Sequence, residues 1–307
     1  MFEQFSAMQM LLALAFGLSA AVYLALPGFI RFMKKKGVCG IDVHKLDRPK
    51  VAESGGIILL VASSLLLLAA YFLLGDLRIA YVALLATSFS IYGLVDDMFR
   101  LGKYRKLLIS LPIAFAGAWL SGLTGAYFVL ALLFLVAATN IFNIFAGLNG
   151  LEMGSSAIVA AFLSVAALAM GLQTPSMLSA SMFLILLAFL AYNRYPARIF
   201  PGDVGTMLMG GFFSSLALLY GLWYVLVPLL SLHILDCLLK GCSAGYFSSH
   251  EKKPTRVLRN GILQPRDDFL SVIRLALRIR PMTERRTVSV LWLIEVVIGM
   301  ATLMVMV

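Results

Sequence analysis

Residues 127–146, YFVLALLFLVAATNIFNIFA, run directly into Gly147-Leu148-Asn149-Gly150-Leu151-Glu152, and this junction decides how the chain is to be read. An uncharged stretch of this length spans a bilayer core of about 30 Å as a helix. Polar groups arrive only at its end. Asn140 and Asn143 are three apart, so a helix puts both carboxamides on one face. Gly147 and Gly150 would end that helix and leave backbone N–H groups free to meet a ligand. Carboxamide oxygens beside bare backbone suit a nucleotide and a hard cation. The competing reading of such asparagines is hydrogen bonding between membrane helices.

The same length rule, carried outward, gives ten spans at about 8–33, 55–74, 79–95, 107–121, 127–146, 155–172, 177–192, 204–221, 222–239 and 288–307. Residues 204–239 run nearly unbroken, with Gly221 and Pro228 marking where the chain turns or kinks. The 307 residues are 61% hydrophobic and 13% charged, with mean hydropathy +0.95. That excludes a soluble globule, in which about a quarter of residues are charged. The expected fold is an all-α, polytopic integral membrane helix bundle of about ten transmembrane helices.

Of the 25 Lys and Arg residues, 24 fall in residues 31–50, 100–106, 194–198 and 240–286, and only Arg78 lies elsewhere. The positive-inside rule makes those loops cytoplasmic, together with 147–154, and puts both termini outside. The first span has no basic n-region or A-x-A site and is read as retained. The chain is expected to be a single membrane-embedded domain, 1–307, whose cytoplasmic loops 34–54, 96–106, 147–154, 193–203 and 240–287 form the active-site face. Its net charge of +10 lies on that face and favours anionic headgroups and phosphorylated substrates. No aromatic-interleaved basic module points to nucleic acid. Cys39, Cys237 and Cys242 match no common metal spacing and are read as structural.

Five segments at the cytoplasmic side carry chemistry. Gly40 to Gly56 is a basic loop containing Glu53 and closing on a glycine pair, though such a loop also serves simply to anchor topology. Asp96 and Asp97 end the third span, opposing each other and the helix dipole, which costs energy unless a cation or proton compensates. Lys106 follows them. The Asn140 to Glu152 stretch is third. In Phe200-Pro201-Gly202-Asp203-Val204-Gly205-Thr206, Asp203 reads equally as a helix N-cap and as a metal ligand. The last loop holds His250, Lys252 and Arg256, either a solvated face or a diphosphate clamp. Asp236 and Glu295 lie within or near spans, and Glu295 is read as an interior helix contact. Because Asp96, Asp97, Asn143 and Asp203 end different spans on one side, a bundle can gather their oxygens around one Mg²⁺, which takes one or two carboxylates plus substrate phosphates.

These segments, in this order, resemble the polyprenyl-phosphate N-acetylhexosamine-1-phosphate transferases (glycosyltransferase family 4) over nearly the whole length. Ala146 to Glu152, Phe200 to Thr206 and Gly40-Ile41-Asp42 look closer to the archaeal and eukaryotic dolichyl-phosphate GlcNAc-1-phosphate transferases than to the bacterial muramoyl-pentapeptide enzyme, which typically has aspartates where Ala146 and Asn149 stand. The resemblance implies transfer of GlcNAc-1-phosphate from UDP-GlcNAc to a polyprenyl phosphate, with Mg²⁺ required and Mn²⁺ as substitute. It implies Asn143 and Asp203 at the metal, Gly147 and Asn149 at uracil, Asn140 among the substrate contacts, and Asp96 and Asp97 at the lipid phosphate. Lys106, with His250, Lys252 and Arg256, would grip the diphosphate, and Glu53 would lie at the sugar end. It is compatible with a homodimer. UDP-GalNAc and UDP-MurNAc-peptide remain as donors within the superfamily. A prokaryotic plasma membrane, archaeal by the resemblance, is the expected location, and the endoplasmic reticulum in a eukaryote. A prenyltransferase or CDP-alcohol phosphotransferase would need spaced aspartates that are missing, and a transporter would place its ionisable groups nearer the bilayer midplane.

Overall fold

A computed structural model describes residues 2–99, 103–244, 255–266 and 269–306. In chain order its elements are α1 (Phe2–Lys35), β1 (Cys39–Ile41), β2 (Lys50–Ala52), α2 (Gly56–Leu74), α3 (Leu77–Phe99), α4 (Lys103–Leu120), α5 (Gly125–Ile144) and α6 (Leu151–Ala169). There follow α7 (Gln173–Asn193), α8 (Gly202–Leu219), α9 (Trp223–Leu229), α10 (Ser231–Ala244), β3 (Arg256–Val257), β4 (Ile262–Gln264), α11 (Val272–Ile279), β5 (Met282–Thr283) and α12 (Glu284–Met306). Among the described residues eight helices are long and apolar enough to cross a bilayer, and α9 with α10 adds a ninth, broken span. The chain is a multi-pass integral membrane protein.

Two of the ten expected spans differ in form. The ninth is bent by 62° between α9 and α10, just after Pro228, whose ring cannot continue the hydrogen-bond ladder. The fourth has an apolar stretch of only Leu108–Leu120 and begins earlier, as a helix from Lys103.

The most buried helix is α8, whose residues from Val204 to Ala217 are all buried. It fits there because glycines let backbones approach, as membrane helices require in place of a hydrophobic driving force. A Cβ on Gly93 of α3 would collide with the Asp203 carbonyl, and one on Gly210 of α8 would sit 2.6 Å from the Thr139 Cα of α5. Ser90 donates to the Val204 carbonyl at 2.9 Å, tying α3 to the same turn. Glu295 is buried inside the bundle 3.5 Å from His233, an interior contact as read.

The basic loops gather at one end of the bundle. There β1 and β2 form a hairpin pairing Cys39 with Ala52. Residues 52–56 are strapped to 199–201, with Phe200 donating to Ala52, Gly55 to Phe200 and Gly56 to Pro201. Arg78 lies apart, chelated by Asp76 and stacked 4.2 Å from Tyr220. Gly93→Ala should lower stability by about 1–3 kcal/mol through this overpacking, read as a lower unfolding midpoint in detergent; an unchanged midpoint would contradict the close α3–α8 approach.

Candidate active site

The entry into α8 organises the site. Pro201 precedes the helix, and Gly202 takes a positive φ of 70° that a side chain would resist. Asp203 does not cap the helix with its own carboxylate. Asp97, reaching across from the end of α3, accepts from the Asp203 N–H at 2.8 Å and the Val204 N–H at 3.3 Å, and the Ser54 hydroxyl donates to it at 3.4 Å. A carboxylate at a helix N-terminus satisfies orphan donors and is favoured by the dipole. The cost of adjacent aspartates at the end of α3 is thereby offset by the opposite end of another helix.

Asp96, 3% exposed, pairs instead with Lys106, whose ammonium also donates to Asp203 at 3.1 Å. Burial disfavours the Lys106 charge, but Asp203 and Asp96 outweigh it and raise its pKa, so the ammonium persists throughout the neutral range. Asp96 and Asp203 also lie within hydrogen-bonding reach of each other, and the Asn143 carboxamide reaches Asp203. The Thr206 hydroxyl donates to Asn143 Oδ1 at 3.2 Å. Two carboxylates, Asp96 and Asp203, thus share one ammonium, with Asp97 held alongside by the Asp203 and Val204 N–H groups, an arrangement that leaves room for a further cation. Among the described residues no three His, Cys, Asp or Glu side chains form a ready ligand cage. Asp203 and the Asn143 oxygen nevertheless fit an ion such as Mg²⁺, which takes one or two carboxylates and fills its shell with water and phosphate oxygens.

The glycine loop lies at the same end. Gly147 has φ 144° and Gly150 φ 81°. The Gly147 N–H, expected to be free for a ligand, instead donates to Glu152 at 3.1 Å, as the Asn149 N–H does to Glu284, because buried carboxylates pack against the turn. Asn149 is buried, its backbone N–H bonded to Glu284 at 2.7 Å and its amide nitrogen donating to Asp42 at 2.9 Å. Lys45 pairs with Asp42, lies 3.6 Å from Glu284 and stacks 4.7 Å from the Tyr195 ring. His44 contacts the Thr255 hydroxyl at 2.7 Å and hydrogen-bonds the Gly147 backbone. Burial pushes its pKa down to about 4, so it is a neutral imidazole at working pH, with one nitrogen donating and one accepting. Lys240, paired with Asp236 at 2.7 Å, donates to the Ile144 carbonyl at 2.6 Å and closes the end of α5.

The expected residues are therefore distributed as follows. Asp96, Asp97, Lys106, Asn143 and Asp203 come together. Glu53 lies within electrostatic reach of Asp97. The Asn140 amide nitrogen donates to the Val136 carbonyl in its own helix, at 2.7 Å, which leaves one N–H and its oxygen. Arg256 is exposed on β3, next to the Thr255 that bonds His44. His250 and Lys252 lie outside the described residues. The sequence assigned no role to Ser54, Asp42, Lys45 or Glu284; the first three stood inside the Gly40 to Gly56 segment, and Glu284 lay just ahead of a span drawn from 288. A cavity of ≈ 410 Å³ at the opposite end, beside Arg78, Gln173 and Tyr220, contains none of the site residues.

Residues 79–221 match the model of glycosyl transferase family 4. A Methanocaldococcus jannaschii protein provisionally named a glycosyltransferase is 32% identical over 291 residues, 90% of this chain and 91% of that one. A Saccharolobus solfataricus protein provisionally named UDP-N-acetylglucosamine–dolichyl-phosphate N-acetylglucosaminephosphotransferase is 28% identical over 241 residues, 71% and 74% of the two chains. The phospho-N-acetylmuramoyl-pentapeptide-transferase of Prochlorococcus marinus is 33% identical over 180 residues, 58% of this chain and 50% of that protein.

Removing the Asp97 acceptor should be felt in the fold before any chemistry. Asp97→Ala leaves two N–H groups of α8 without their partner and should cost about 1–3 kcal/mol, checked by denaturant or thermal unfolding in detergent.

Proposed function

The chain belongs to glycosyl transferase family 4, and on that premise we propose that it transfers GlcNAc-1-phosphate from UDP-GlcNAc to a polyprenyl phosphate, dolichyl phosphate by analogy with the archaeal relatives, releasing UMP. The observation that carries the reading is the meeting of Asp96, Lys106 and Asn143 at the Asp203 carboxylate, with Asp97 on the Asp203 backbone N–H, at the end of a membrane bundle. Such a site suits two phosphorylated substrates, one of them held in the bilayer.

In the proposed reaction an oxygen of the lipid phosphate attacks the β-phosphorus of the donor. The bond from that phosphorus to the oxygen bridging it to the α-phosphate breaks, and UMP leaves with that oxygen. Phosphoryl transfer needs mainly positioning and charge neutralisation. A Mg²⁺ held by Asp203 and Asn143 would supply neutralisation of the diphosphate. Lys106 provides a permanent positive charge beside the same oxygens. Asp97, fixed by α8, is rigid, and with Asp96 it orients the lipid phosphate. Gly147 and Asn149 meet the uracil, with Asn140 contributing a carboxamide oxygen. Glu53 faces the sugar, while His250, Lys252 and Arg256 grip the diphosphate from the last loop. The positive-inside rule supports a cytoplasmic active-site face, and the likeness to archaeal proteins supports a prokaryotic plasma membrane.

Purified protein with polyprenyl phosphate and Mg²⁺ should release UMP from UDP-GlcNAc, stop with EDTA and resume when Mg²⁺ is restored. UMP from UDP-MurNAc-pentapeptide or UDP-GalNAc instead would move the donor, and no UMP from any of the three would overturn the reading. Asp97→Asn and Asp203→Asn should abolish this release while the protein stays folded; full activity in either would remove that residue from the site.

A further inference from the structure

We propose that Asp42 is a positioning residue that sets which nucleobase the chain accepts, by locking the Asn149 carboxamide in one of its two orientations. This rests on the reading of Gly147 and Asn149 as the nucleobase contacts, and concerns residues that take no part in the carboxylate group around Lys106.

A carboxamide has a donor end and an acceptor end of nearly the same shape, and only its partners decide which way it faces. For Asn149 the decision is made by Asp42, 107 residues away in sequence, which receives the amide nitrogen at 2.9 Å. Paired with the Lys45 ammonium, the Asp42 carboxylate only accepts, so a turned-over carboxamide would set oxygen against oxygen. Asp42, Asn149 and Glu284 are each no more than 5% exposed, so water cannot readily take over the contact. Glu284 receives the Asn149 backbone N–H at 2.7 Å, fixing the main chain from which the side chain projects. Asn149 is left with one N–H and its oxygen, in a fixed order.

That order matters because uracil and cytosine present opposite edges. Uracil offers an N3–H donor beside an O4 acceptor, whereas cytosine offers an N3 acceptor beside an amino donor. A carboxamide that pairs with one must be turned over to pair with the other. A site whose polar groups are fixed rejects the mismatched edge far more strongly than one whose groups can rotate. Asp42 thus acts on the base through Asn149, without touching it.

The test is calorimetric titration of UMP and of CMP into the purified full-length protein, unaltered and as D42N. An asparagine at position 42 can present either its oxygen or its amino group, so both orientations of Asn149 gain a partner. The unaltered protein should prefer UMP, and D42N should shrink that preference by about tenfold or more. In the UDP-GlcNAc assay D42N should raise KM more than it lowers kcat. Asp42→Ser, whose hydroxyl donates and accepts, carries the same expectation and serves if D42N does not fold. A folded variant that keeps the full UMP preference overturns the proposal while leaving the transferase reading standing. An unaltered protein that binds neither nucleotide, or both equally, overturns the nucleobase reading itself.

Discussion

The first turn of α8 leaves backbone N–H groups that find no partner within the helix, and this helix is the most buried in the bundle. Packed against the loops at this end of the bundle, such donors are met from inside the protein, and leaving them without an acceptor costs about 1–3 kcal/mol. Asp97 meets two of them from the end of α3. The strap between residues 52–56 and 199–201, the glycines that bring α3 and α5 against α8, and the Ser90 contact all hold that junction in register. The same junction sets Asp203 beside Asp96 and Lys106. Stability and chemistry therefore share one set of atoms.

Concentrating carboxylates in this way does not serve stability. Asp96 and Asp203 set two carboxyl groups on one ammonium, and the Asn143 and Thr206 side chains beside them add oxygens rather than more cations. The surrounding structure tolerates the arrangement because each carboxylate is engaged: Asp97 by α8, Asp96 and Asp203 by one lysine. A second, separate lattice of buried polar groups holds the glycine loop, with Asp42, Lys45 and Glu284 on one side and His44 with Thr255 on the other. The two lattices meet at the end of α5, where Asn143 belongs to one and the loop after Ile144 to the other.

The spans were legible because about 20 apolar residues without charge have few other fates, and the bend after Pro228 was legible because proline interrupts a helix in a known way. The meeting of Asp96, Asp97, Asn143 and Asp203 followed from their shared place at span ends. Other features were hidden by distance. Asn149 is tied to Asp42 and Glu284 across 107 and 135 residues, and no local pattern announces such partners. Asp203 spells an N-cap, yet its cap comes from another helix, 106 residues away. The strands β1 to β5 are two or three residues each, too short to show a period of two. Asn140 sits on the expected helix, yet one of its two N–H donors turns back to Val136, a choice the spacing does not reveal.

What unites these features is a membrane bundle that keeps its reactive oxygens at one end, where a water-soluble donor and a lipid acceptor can meet. The most direct measurement follows the phosphorus itself. With UDP-GlcNAc carrying ³²P only in its β-phosphate, the account predicts that the label passes into a lipid-extractable diphosphosugar while the released UMP stays unlabelled. Label recovered in free phosphate, in sugar phosphate or in the nucleotide would contradict transfer to the lipid phosphate.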